Sequence, residues 1–222
     1  RRWMPLRSRF AHRLPSFLLP LELVREPAGG FDPEVLSISD SAYLRGYWQD
    51  ERYFCDISAQ IAAAFEPRKG PSVQDAGLIE LMEAGGSVSV HVRRGDYVSL
   101  APAAQFHGTC SLDYYQRAVE HVLAHHEGCR FFVFSDDPEW TEQNLRIPAE
   151  THFVTHNSPA DAVHDLRLMS HCQHHVIANS SFSWWGAWLS EQRSGGGSVV
   201  APQRWFADRD APGLVPPRWK RM

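Results

Sequence analysis

From Ser72 onward the chain alternates between stretches of helical apolar period and short apolar runs, whereas the residues before it show little regular pattern. Ser72 to Ala84 reads as a helix, ended by Gly85-Gly86, and Val88-Ser89-Val90-His91-Val92 then sets a β-branched residue at every second position, the mark of a strand. Ser111 to His126 reads as a helix capped by Ser111, with Leu112, Tyr115, Val119, Val122 and Leu123 on one face. Phe131-Phe132-Val133-Phe134 is a strand to be covered on both faces. A short helix from Pro138 to Leu145, a strand at Phe153-Val154, a helix from Asp161 to His171 and a strand from Val176 to Ala178 follow. A helix from Ser183 to Glu191, the loop Ser194-Gly195-Gly196-Gly197-Ser198 and a strand at Val199-Val200 complete the series. Strands alternating with helices predict an α/β fold with a doubly wound parallel sheet. Residues 1 to about 70 are rich in proline and aromatics and carry one helical stretch, Asp56 to Phe65. The expected division is a partial N-terminal domain over residues 1–85 and a sheet domain over 86–222.

Composition narrows the function classes. The 222 residues are 43% apolar, enough for a sizeable core, and the net charge of -4 supplies no basic excess for nucleic acid. The apolar stretches around Phe17-Leu18-Leu19 and Phe182 to Leu189 are too short or too interrupted to span a bilayer, so the chain reads as soluble or peripheral to a membrane. Cys55, Cys110, Cys129 and Cys172 are scattered without paired spacing, which fits free thiols in a reducing compartment and a cytoplasmic location. The first residue is Arg1 and no glycine-rich or strand-like opening precedes Pro20, so the chain is expected to be a piece of something longer.

Three polar segments follow predicted strands and therefore converge at the carboxyl edge of the sheet, where open α/β folds bind ligands. They are His91-Val92-Arg93-Arg94-Gly95-Asp96-Tyr97, Ser135-Asp136-Asp137 and Asn179-Ser180-Ser181. Arg-Arg-Gly-Asp alone also suits a solvated turn, but two guanidinium forks at a ligand crevice match the oxygens of a diphosphate, with Asp96 placed to orient one of them. Asn179, Ser180 and Ser181 open a helix, whose N-terminus attracts anions, although ordinary capping uses the same residues. Asp136 and Asp137 suit Mg²⁺, sugar hydroxyls or the cap of the next helix, with capping expected for at least one of them. Asp165, early in a helix with Leu166, Leu168 and Met169 inward, is either a surface acid or an acceptor for the paired donors of guanine. Tyr43, Tyr47 and Trp48 around Gly46 are compatible with core packing or sugar stacking.

Other chemistries lack a motif. No GxGxxG, Walker or GxSxG segment is present. His121 and His125 have i,i+4 spacing without the glutamate of HExxH, and His171, Cys172, His174 and His175 lack ligand spacing, so structural or solvated histidines are expected rather than a metal site.

The segment His91 to Tyr97 resembles the HxRRxD signature of α1,2-, α1,6- and related fucosyltransferases. The block Asp165 to Leu189, with Phe134-Ser135-Asp136-Asp137, Gly46-Tyr47-Trp48-Gln49 and Ala201-Pro202-Gln203-Arg204-Trp205-Phe206, resembles the α1,2-fucosyltransferases of glycosyltransferase family 11. That resemblance implies a GT-B-like fold whose Rossmann-like domain binds GDP-β-L-fucose, and inverting transfer of fucose to the 2-hydroxyl of a terminal galactose without an essential metal or other cofactor. It implies a bacterial enzyme acting on a glycan such as an O-antigen or capsule unit, in the cytoplasm or peripheral to the inner membrane. By the same resemblance Arg93 holds the β-phosphate, His91 and Asp165 contact the guanosine, and Ser180 and Ser181 contact the phosphates, with Arg94 and Asn179 also on the donor side. Asp96 and Asp136 support the arginines and the sugar site; the catalytic base stays open between Asp96, a group from the absent N-terminal segment and a base-independent mechanism. Two departures stand out: the family's N-terminal Gly-Gly-Leu-Gly-Asn-Gln-like segment is absent, and Ala101 stands where some α1,6 relatives carry a glutamate. Transfer of another sugar or linkage on the same scaffold, and a non-catalytic remnant that still binds GDP or glycan, are the competing expectations.

Overall fold

The computed structural model describes residues 22–27, 30–38, 41–95, 108–209, 211 and 213–222. The chain divides into two compact units, one holding the residues up to Asp56 with a return segment near 213–216, the other residues 57–211 with 217–222. The two units meet between Asp56 and Ile57.

In the first unit, strands β1 (Glu22–Arg25) and β2 (Ala42–Arg45) pair in parallel. The Glu26 carboxylate accepts the successive backbone N–H groups of Tyr47 and Trp48 at 2.6 and 2.9 Å. Trp48 adopts a left-handed φ of 53°, and a Cβ at Gly46 would collide with the Glu26 side chain. Among the described residues no helix is long and apolar enough to cross a membrane.

The second unit carries α1 (Ser58–Phe65), α2 (Val73–Glu83), β3 (Ser87–Val92), α3 (Leu112–His125), β4 (Arg130–Ser135), α4 (Pro138–Asn144) and β5 (Thr151–Val154). It continues through α5 (Ala162–His171), β6 (His174–Val176), α6 (Ser181–Ser194), β7 (Val199–Ala201) and β8 (Lys220–Arg221). All neighbouring strands are parallel and the order is β5-β4-β3-β6-β7-β8. Strand order reverses between β3 and β6, so that pair forms the topological switch point. The doubly wound parallel sheet expected from the sequence is thus present.

Alternation on β3 explains why it is central. Val88, Val90 and Val92 pack with Tyr114, Tyr115, Val119 and Val122 of α3, while on the opposite face Phe132 and Phe134 of β4 pack with Met82 of α2 and with Leu168 and Met169 of α5. Both faces are covered, as a parallel sheet requires. On α3 the buried stripe is Tyr114, Tyr115, Ala118, Val119 and Val122, whereas Leu112, expected inward, is 38% exposed. Leu112 is the first residue of the helix, ahead of the buried stripe. Ser72 and Asp75 close a reciprocal capping box on α2, Ser111 caps α3, and Gly195 ends α6 in a left-handed turn at φ 80°.

Candidate active site

The switch point is held from beneath by two tyrosines. The Tyr115 hydroxyl donates to the His91 carbonyl at 3.1 Å, and the Tyr114 hydroxyl lies 2.7 Å from the Ile177 carbonyl and 3.1 Å from that of Val200. Burial pushes both phenols well above their ordinary pKa, so they remain neutral donors. The last turns of β3, β6 and β7 are thereby tied to one helix.

Beyond β3 the two arginines diverge. Arg93 Nη1 sits 3.0 Å from Asp136 Oδ2, and the Arg94 backbone N–H donates to Asp136 Oδ1 at 2.8 Å. The chain can approach this closely because residue 95 is glycine: a Cβ there would stand 2.6 Å from Asp136 Oδ2. The Arg94 side chain turns towards α4, its Nε 3.4 Å from Asp137 Oδ2 and its guanidinium carbon 3.5 Å from the centre of the Trp140 ring. Arg94 is therefore a brace. Asp136 and Asp137 orient the two arginines; Asp96, expected to orient one of them and one candidate for the base, lies outside the described residues, as do Tyr97 and Ala101.

The capping expected of Asp136 or Asp137 is not observed. Asp137 occupies the position before α4, but its carboxylate makes no capping hydrogen bond and goes to Arg94 instead; its N–H donates to Ser135 Oγ.

His91 is 4% exposed, with its ring 5.6 Å from that of Phe182 in the first turn of α6. Burial foremost, with the Arg93 cation adding to it against the opposing pull of Asp136, depresses its pKa to about 4, so the imidazole is neutral. Nδ1 of His91 has no hydrogen-bond partner among the described residues. Of the polar residues Asn179, Ser180 and Ser181 beyond β6, Ser180 is the N-cap of α6, its Oγ accepting from Phe182 N at 3.3 Å, and Ser181 is exposed in the first turn. Asn179 serves the scaffold: its Nδ2 donates to the carbonyls of Gly108 and Trp205, both at 3.1 Å, and its Oδ1 accepts from the Cys110 thiol at 3.4 Å. The Asn179 side chain is thereby committed, and only Ser180 and Ser181 are left to present the helix start.

Asp165 lies in the first turn of α5 and is partly buried rather than a surface acid. Burial raises its pKa to about 6, against the lowering effect of the Asn157 amide that donates to Oδ1 at 2.8 Å. Around it stand Asp75, His156, Asn157 and His164, none of which the sequence reading singled out.

A model of glycosyl transferase family 11 matches residues 30–211. An α-1,2-colitosyltransferase from Escherichia coli is 35% identical over 192 residues, spanning 84% of this chain and 64% of that protein. Galactoside 2-α-L-fucosyltransferase SEC1 from Bos taurus is 28% identical over 163 residues, spanning 71% of this chain and 43% of that one. The chain thus spans less than two thirds of the length of these relatives. A crystal structure of POFUT1 in complex with GDP-fucose aligns with a TM-score of 0.43 and 14% identity over 88% of this chain and 58% of that one.

Proposed function

The chain belongs to glycosyl transferase family 11, and from that membership we propose that it is an inverting transferase that moves L-fucose from GDP-β-L-fucose to the 2-hydroxyl of a terminal galactose on a glycan. The observation that carries the reading is Arg93 at the β3/β6 switch point, held by Asp136 at 3.0 Å beside the helix start at Ser180 and Ser181. A departing diphosphate gathers charge at that place. A fixed guanidinium and an aligned helix N-terminus stabilise that charge more in the transition state than in the ground state. Arg93 contacts the β-phosphate, Ser180 and Ser181 the diphosphate, and neutral His91 and the Asp165 carboxylate the guanosine. Arg94 positions the turn.

The transfer requires no metal in this reading, because the two carboxylates nearest the arginines are already engaged: Asp136 faces the Arg93 guanidinium and the Arg94 backbone N–H, and Asp137 faces the Arg94 side chain. The likeness to a colitosyltransferase over 84% of the chain favours a second reading, with colitose as the transferred sugar at the same site.

Turnover of GDP-L-fucose and of GDP-colitose on lactose, with and without EDTA, tests these assignments, and calorimetry with GDP and UDP tests the base. Expected are a preference for GDP over UDP, transfer of one of the two sugars to the galactose, and a rate unchanged by EDTA. A preference for UDP refutes the guanine site, and product linked elsewhere than the 2-hydroxyl refutes the regiochemistry.

A further inference from the structure

The polar cluster behind Asp165 is more ordered than solvation of a helix start requires. Asp75 has a side-chain exposure of 1% and accepts from Ser72 N at 3.3 Å, while its Oδ1 faces His156 Nε2 at 2.8 Å and its Oδ2 faces His164 Nδ1 at 4.0 Å. These hydrogen bonds keep the Asp75 carboxyl below its ordinary pKa in spite of burial. Asn157 Nδ2 reaches two carboxylates at once, Asp165 Oδ1 at 2.8 Å and Asp75 Oδ1 at 3.5 Å. Only the amide nitrogen can face two carboxylates, so the orientation of Asn157 is fixed by chemistry. Two like charges joined through one amide are held apart at a set distance.

A carboxylate offers about four lone-pair sites. Asn157 takes one of those on Asp165 Oδ1, and Oδ2 receives no hydrogen bond from any described residue. What remains matches a pair of adjacent N–H donors, the pattern of guanine N1–H and its exocyclic amine. We propose that Asn157 is a positioning residue for nucleobase choice: hung on the fixed Asp75–His156 pair, it sets the rotation of the Asp165 carboxylate so that both guanine donors are met together. The proposal rests on the reading of Asp165 as the base partner. It adds that selectivity for the exocyclic amine depends on a residue that never touches the nucleotide.

The test compares GDP with IDP, which lacks that amine, by calorimetry on the full 222-residue chain and on Asn157→Ala and Asn157→Ser. The wild type should prefer GDP by about tenfold, the worth of one hydrogen bond to a charged group. In Asn157→Ala the ratio should collapse towards one, with GDP weakened and IDP little changed, and Asn157→Ser, which keeps a donor hydroxyl, should recover part of it. A purely structural role would weaken both nucleotides alike and leave the ratio intact, which overturns the proposal, as does loss of folding in both variants by circular dichroism. A wild type that binds GDP without preferring it to IDP defeats the underlying base assignment itself.

Discussion

The two adjacent arginines should differ sharply when removed, and the difference is calculable from their surroundings. Arg93→Ala deletes the guanidinium assigned to the developing diphosphate charge, a contact of the kind whose loss costs on the order of 3 kcal/mol of barrier, roughly 150-fold in kcat/KM. Arg94→Ala deletes a stacking contact 3.5 Å above Trp140 and an ion pair of 3.4 Å with Asp137, whose side chains are 21% and 34% exposed. At such partly exposed positions the stacking is worth about 1 kcal/mol and the ion pair about 0.5 kcal/mol. If all of it serves to place Arg93, the loss is about tenfold. Trp140→Leu should then reproduce most of the Arg94→Ala defect, about fivefold. The double variant should be no worse than Arg94→Ala alone, because both remove one interaction. Steady-state transfer of labelled fucose to lactose gives kcat and KM, with thermal melts to confirm folding. The reasoning fails if Arg94→Ala matches Arg93→Ala while Trp140→Leu is silent, since Arg94 would then be touching the phosphate itself.

Three further outcomes follow from the same geometry. Protonation of Asp165, with its pKa near 6, removes the acceptor proposed for guanine, so GDP affinity should fall about tenfold for each pH unit below 6. The GDP phosphate titrates in the same range, so the reading is the difference from Asp165→Asn, and identical profiles refute it. Asn179→Ala strands the carbonyls of Gly108 and Trp205 and should lower unfolding free energy by about 1–3 kcal/mol while the folded fraction keeps its GDP affinity; a selective loss of GDP binding would return Asn179 to the phosphate site. His91, His174 and His175 are held by burial at pKa values of about 4, 4 and 3, below their unfolded value of about 6.5. The unfolded chain therefore binds more protons between those values, and stability, full above pH 6.5, should be lost as pH falls towards 4. Asp165, raised rather than lowered, opposes this with a single proton, so a urea midpoint flat from pH 7 to 5 would contradict the burial of the histidines.

Much of the sheet was legible because parallel strands buried on both faces leave concentrated apolar runs, as in Val88 to Val92 and Phe131 to Phe134, and because Ser72 and Ser111 announce their helices. The convergence of Arg93, Asp136 and Ser180 was legible for the same reason: strand direction alone brings their ends together. Side-chain partners were not. Asp137 looks like a cap in sequence, since nothing local reveals an arginine folded over Trp140 from another strand. Asp75 on one side, and the adjacent His156 and Asn157 on the other, belong to two separate segments joined only by tertiary packing, and Asn157 within Asn-Ser-Pro has the composition of an ordinary turn. Strands β1, β2 and β8 escaped notice because they are short and partly exposed, with no alternation long enough to register.

The order β5-β4-β3-β6-β7-β8 also bears on how the site comes into being. Val88 pairs with Phe131 on one side and with His174 on the other, so the crevice beside β3 draws on contacts remote in sequence. Such pairings repay their loop-closure entropy late, and no local fragment can hold the nucleotide before they close. Nucleotide affinity therefore reports global folding. For a chain that binds GDP as proposed, GDP at a hundred times its dissociation constant would add about 2.7 kcal/mol to stability, and the amount of the protein surviving in a cell would rise and fall with the supply of that nucleotide.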